Sequence, residues 1–123
     1  RSWQVAGRIS LAQAQIDESL WEKAIYDNEV AVHINPGQWP PLERLSWTLA
    51  LAGENDRAIA AAVAAKEVGA ENNRKAYLVY YIEALLEGDR GNFEASDAAL
   101  AVLETFTHTD VARMVSDVKA LPR

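Results

Sequence analysis

Cysteine is absent from the chain, and with it any disulfide, thiolate nucleophile or zinc–thiolate site. That absence leaves the compartment open, with the cytoplasm and an exported location both compatible. No apolar run approaches the roughly 20 residues a membrane-spanning helix needs. The longest, YLVYYIEALLE from Tyr77 to Glu87, is interrupted by Glu83. A basic stripe is missing too: Arg44, Arg57, Lys66, Arg74-Lys75 and Arg90 are scattered, and the net charge is −6. Nucleic acid, whose phosphates reward a basic face, is therefore not an expected partner. Strand-like alternation of β-branched residues is absent throughout.

Catalytic signatures are absent as well. The chain has no GxSxG, no HExxH, no phosphate-cradling glycine loop and no calcium-loop spacing. Its two histidines have simpler readings. His33 follows Glu29 by four residues, but two ligands without a third are weak grounds for a metal, and an imidazole suits the carbonyl-rich end of a helix. His108-x-Asp110 reads as a cluster at a helix start. EGDRGNFEAS, Glu87 to Ser96, reads as an inter-helix turn. No enzyme activity, metal or cofactor is expected.

What is present is a period. Ala24-Ile25 returns as Ala58-Ile59, 34 residues on, and a small residue follows each alanine by seven, at Ala31 and Ala65. A third copy starts at Gly91-Asn92-Phe93 and continues through Ser96, Leu100 and Leu103; Gly91 lies 38 residues after Gly53, an insertion of about four. Within each unit the apolar steps are helical: Val5, Ile9, Ala12, Ile16; Trp21, Ala24, Asn28, Ala31; Leu42, Leu45, Leu49, Ala52; Ala58, Ala62, Ala65, Gly69. Asn35-Pro36-Gly37 closes one helix, and Pro40-Pro41 suits the first turn of the next. Gly53, Gly69, Gly88 and Gly91 mark further breaks, and Thr107 or Thr109 with Asp110 caps a last helix. Seven helices are predicted: about 3–17, 20–34, 41–52, 55–68, 74–87, 92–105 and 109–120.

These residues resemble the tetratricopeptide-repeat family, whose unit is a 34-residue helix–turn–helix with an aromatic, small residues at the helix crossings and a closing proline. Trp21, Ala24, Ala31 and Pro36 carry the likeness in the first unit, Leu45, Gly53, Ala58 and Ala65 in the second, and Phe93, Ser96 and Leu103 in the third. Asn28 and Ala62 stand where an aromatic is usual, and Ala70 replaces a closing proline. The resemblance implies an all-α, right-handed α-solenoid: one domain over 1–123, with units of about 3–36, 40–70 and 73–106 and a capping helix over about 109–121. The chain begins at Arg1 rather than Met, so a native N-terminus is expected to be missing, through a cleaved signal peptide, excision from a longer protein or trimming. Three repeats is the low end for a self-sufficient array, which fits a longer parent with repeats upstream.

Such stacks bind partners along the concave side lined by the first helix of each pair. By the family pattern Ile9, Gln13 and Ile16 or Asp17 line it in the first unit, and Glu43, Arg44, Trp47, Ala50 and Leu51 in the second. The insertion leaves the third unit's register open; its better alignment offers Lys75, Leu78, Val79 and Ile82. The expected function is a protein–protein adaptor that holds a partly hydrophobic peptide or partner helix, with Trp47 as aromatic anchor. The alternative is a structural module that associates with itself as a homodimer or with an adjacent domain. Of the other tryptophans, Trp21 is assigned to the core, Trp3 to the N-terminal end of the stack and Trp39 to the hairpin it adjoins. The fifth helix, nearly apolar all round, is expected to lie buried mid-stack.

Overall fold

The computed structural model describes residues 18–71 and 73–123. Six α-helices follow one another, with no strand among the described residues: α1 Glu18–Ile34, α2 Trp39–Leu51, α3 Asn55–Ala65, α4 Tyr77–Asp89, α5 Phe93–Leu103 and α6 Val111–Lys119. The predicted first helix, with Trp3 and Gln13, lies outside the described residues.

Local chemistry explains the boundaries. Pro40 and Pro41 occupy the first turn of α2, where a missing N–H breaks no helical bond. Trp39 is the first helical residue and packs on the cluster around Leu42 and Val79. Gly53 and Gly91 have φ of +82° and +85°, and each ends a helix in the same way. The Gly53 N–H donates to the Ala50 carbonyl at 3.1 Å and the Glu54 N–H to that of Leu49 at 2.9 Å. The Gly91 N–H donates to Gly88 at 3.1 Å and Asn92 to Glu87 at 2.8 Å. These paired bonds satisfy carbonyls that a helix end otherwise strands.

Packing follows the same repeat. In the α2–α3 hairpin the Ser46 hydroxyl donates to the Ala58 carbonyl at 2.7 Å. In the α4–α5 hairpin the Ser96 hydroxyl donates to the Ala84 carbonyl, also at 2.7 Å. All four residues are buried, and each pair is 12 apart. Small side chains let the helix axes approach closely enough for a hydroxyl to reach the opposite backbone. From Ser46 to Ala84, Gly53 to Gly91 and Ala58 to Ser96 the offset is 38. The extra residues relative to 34 fall between α3 and α4. There the chain leaves α3 through a wide turn, Lys66–Ala70, with Gly69 at φ +125°. Asn73 then makes a side-chain turn, its carbonyl oxygen accepting the Lys75 N–H at 2.9 Å. Helix α4 therefore starts at Tyr77, later than the predicted residue 74, and Arg74 and Lys75 stay outside it.

The hairpins α2–α3 and α4–α5 are the most extensive helix pairs; α1 packs on α2, α4 also meets α2 and α3, and α6 sits on α4 and α5. Every residue of α4 from Val79 to Gly88 is buried, as its nearly continuous apolar sequence leads one to expect. Its carboxylates are neutralised: the Lys66 ammonium is 2.6 Å from Glu83, and Arg90 and Asn92 hold Glu87. Trp21 is in the core with Tyr80, Tyr81, Leu85 and Met114. Two expectations need correction. Gly88 lies inside α4 rather than at a break, because Ser96 and Leu121 approach its backbone too closely for a side chain. Neither Thr107 nor Thr109 caps α6: Asp110 stands at its N-cap without a side-chain bond to the helix, and Arg113 holds its carboxylate at 3.3 Å.

A methyl added at Gly88 would lie 2.8 Å from a Leu121 methyl and 2.9 Å from the Ser96 hydroxyl, whereas one at Gly37 meets nothing within 4 Å. Gly88→Ala is expected to lower stability by about 1–3 kcal/mol. Gly37→Ala should change it by at most about 0.5 kcal/mol. Urea unfolding of both variants checks this, and equal midpoints would show that the α4–α5 approach tolerates a side chain.

Candidate functional site

The residues expected along the binding face divide into two groups. Glu43, Arg44 and Trp47 lie on α2 with some exposure, and Lys75 is exposed in the turn before α4. Leu51, Val79 and Ile82 are core residues instead, at 8 %, 0 % and 0 % exposure, and Ala50 is also fully buried. The reason is enclosure: at an offset of 38 Ile82 and Leu85 stand where α2 has Arg44 and Trp47, but α4 is covered by α2, α3, α5 and α6. Leu78 is half-buried between two core clusters, as is Trp47. Gln13, Ile9, Ile16 and Asp17 lie outside the described residues.

Glu43 is the group under most electrostatic tension. One carboxylate oxygen, Oε2, is shielded from solvent and has no hydrogen-bond partner among the described residues. Burial pushes its pKa up to about 7, against the lowering effects of the Arg44 guanidinium and the Val79 N–H in the first turn of α4. That turn has no side-chain cap of its own, since Ala76 is the N-cap. Beside it, burial raises the Tyr77 hydroxyl pKa, and the nearby Asp110 and Glu43 carboxylates add to the shift. The Tyr77 ring stacks on His108 with centroids 4.4 Å apart and meets Phe106 edge-on at 6.4 Å. The His108 Nδ1 accepts the Asp110 N–H at 3.1 Å, which places the proton of a neutral ring on Nε2, 3.4 Å from the Tyr77 oxygen.

Sequence reasoning did not single out Tyr77 or Phe106. The only signal was an aromatic at the start of the fifth helix and another just before His108. Elsewhere, Glu29 pairs with Arg57 at 3.1 Å beside His33, and no group of three metal-ligating side chains occurs among the described residues.

Charge pairing marks one corner of the molecule. Ten of the twelve Lys and Arg residues are described; Arg1 and Arg8 are not. Seven are in ion pairs: Lys23–Asp27, Arg57–Glu29, Lys66–Glu83, Arg90–Asp56, Arg113–Asp110, Lys119–Glu104 and Arg123–Asp97. Arg44, Arg74 and Lys75 form none among the described residues. Arg74 lines a cavity of about 470 Å³ with Val102, Thr105, Phe106 and Thr107. Comparison with protein-family models, with curated proteins and with solved structures gives no match. Among the described residues no helix is long and apolar enough to cross a membrane.

The Glu43 shift carries a pH dependence. A carboxyl whose pKa is higher folded than unfolded favours the folded state when protonated. Its contribution is complete below about 4.5 and is lost as pH rises through about 7. Glu43→Gln, neutral throughout, removes the effect. Wild type is expected to lose about 1–2 kcal/mol relative to this variant between pH 5 and 8, after allowance for partial exposure. Chemical unfolding at a series of pH values measures it. A constant difference between the two proteins would mean that Glu43 is not desolvated as described.

Proposed function

We propose that the protein is a non-catalytic interaction module of tetratricopeptide-like construction, a right-handed stack of hairpins closed by α6. In this reading a partly hydrophobic peptide or partner helix lies against the α2 face. The observation that carries it is the recurring hairpin. The same small-residue crossing and the same glycine-ended turn appear twice at an offset of 38. Stacked identical hairpins bury one another's sides and leave an extended surface, which is the usual binding surface of such arrays. Trp47 suits an anchor: it rests on two core clusters and keeps part of its ring exposed beside Arg44.

A second reading is self-association, favoured by α1. Leu20, Tyr26, Val30 and Ile34 are exposed there at 55, 65, 37 and 68 %.

A displayed library of random peptides separates the two. The wild-type domain should enrich a consensus with an apolar residue, and a folded Trp47→Ala/Arg44→Glu variant should not, with folding checked by circular dichroism. Enrichment of the same consensus by both proteins would remove the α2 face from consideration. A mass that rises with concentration in light scattering, without a consensus, would favour self-association.

A further inference from the structure

Most of the described cations are neutralised by carboxylates, and the exceptions among them lie on α2 and just before α4. Arg74 and Lys75 immediately precede α4. Arg44 adjoins Glu43, whose carboxyl meets the Val79 N–H in the first turn of α4. The carboxyl beside Arg44 is itself raised to about 7, so near neutral pH it offers Arg44 only part of a counter-charge. Glu71 precedes this corner and is exposed, and no cation among the described residues pairs with it. Asp110 on the far side is occupied by Arg113.

Next to these cations lies space. The cavity beside Arg74 places a guanidinium, the hydroxyls of Thr105 and Thr107 and the apolar walls of Val102 and Phe106 around one opening. The Thr105 hydroxyl already donates to the Val102 carbonyl, so the Thr107 hydroxyl and the Arg74 guanidinium are the donors that answer a carboxylate, and the aromatic wall answers an apolar side chain next to it. Over the rest of the surface a net charge of −6 repels an anionic chain. We infer that the partner segment is an acidic peptide with interspersed apolar residues, held by Arg44, Arg74 and Lys75 and seated in the Arg74–Phe106 cavity. This rests on the interaction-module reading and names the chemistry of its partner. Exposed ion pairs are individually weak and screened by salt, so the contact is salt-sensitive and readily reversible.

The test uses a fluorescein-labelled peptide of repeated Glu-Leu-Ser, its Gln-Leu-Ser twin and an oligouridylate, each titrated by fluorescence anisotropy at low and physiological salt. The glutamate peptide should bind about tenfold tighter than its twin. Arg74→Glu/Lys75→Glu should weaken it by about tenfold or more, with Arg74→Gln/Lys75→Gln between, and added salt should narrow the gap. Because both residues are exposed turn positions, circular dichroism of the variants should match wild type. Equal binding of the two peptides, both lost in Trp47→Ala, would overturn the acidic partner and leave the interaction module standing. Binding of neither peptide, in a protein that also enriches nothing from a displayed library, would overturn both. Tighter binding of the oligouridylate, lost on charge reversal, would assign the cations to a phosphate polymer and overturn the peptide.

Discussion

The fold depends on one kind of contact: a buried serine hydroxyl on the backbone carbonyl of the helix it crosses. Ser46 on Ala58 and Ser96 on Ala84 hold their helix pairs at a separation that larger side chains would not permit. A buried hydroxyl without a partner is costly, so each bond also selects the register in which the hydroxyl meets a carbonyl. Other features follow from that approach. The backbone of α4 comes so near α5 that position 88 has no room for a side chain, and Leu121 after α6 takes up the space that remains. In consequence α4 lies between two hairpin partners and the C-terminal helix, which explains why it is apolar around almost its whole circumference.

Burying α4 creates an electrostatic obligation. Glu83 and Glu87 enter the interior with it, and an unpaired carboxylate there would cost several kcal/mol. Lys66 answers the first from the wide turn at the end of α3, and its ammonium also lies 5.6 Å from the centre of the Tyr80 ring. Arg90 answers the second while reaching Asp56 of the neighbouring hairpin at 2.9 Å. The lengthened connection between α3 and α4 thus has two effects. It delivers a cation inward at Lys66, and it leaves Arg74 and Lys75 outside on a turn fixed by Asn73.

How much of this was legible depended on whether the signal was local. Helix steps, the Pro36 and Pro40-Pro41 punctuation, the Ala24/Ala58 period and the apolar run of α4 are short-range patterns, and the described helices follow them. The register of the third unit was not local. Gly88 and Gly91 both looked like breaks, and only the bonds from Gly91 and Asn92 back into α4 identify the true end. Val79 and Ile82 lie in the core rather than on the expected surface because α4 is covered by four neighbouring helices, which no local pattern announces. Ser46 and Ala84 went unnoticed for a related reason. A serine or alanine inside a helix carries no message until the opposite helix is known. Ion pairs such as Arg57–Glu29 and Lys66–Glu83 join residues 28 and 17 apart, so the cations without partners emerge only by elimination in three dimensions.

The α2–α4 corner differs from the rest of the molecule in a way that bears on where function resides. Elsewhere the buried carboxylates Glu83 and Glu87 are paired, while Asn55 Oδ1 is a second buried oxygen without a partner among the described residues. At this corner, among the described residues, one carboxylate oxygen of Glu43 is buried without a hydrogen-bond partner, and Arg44, Arg74 and Lys75 form no ion pair. A sequence selected for stability alone has a simple remedy, since glutamine at 43 would relieve the charge. Departures from consistency tend to concentrate where a surface serves something besides the fold. Arg44 shares α2 with the partly exposed Trp47, and that combination of a desolvated carboxyl, cations without ion pairs among the described residues and an aromatic favours this corner, rather than the exposed apolar side of α1, as the proposed binding face.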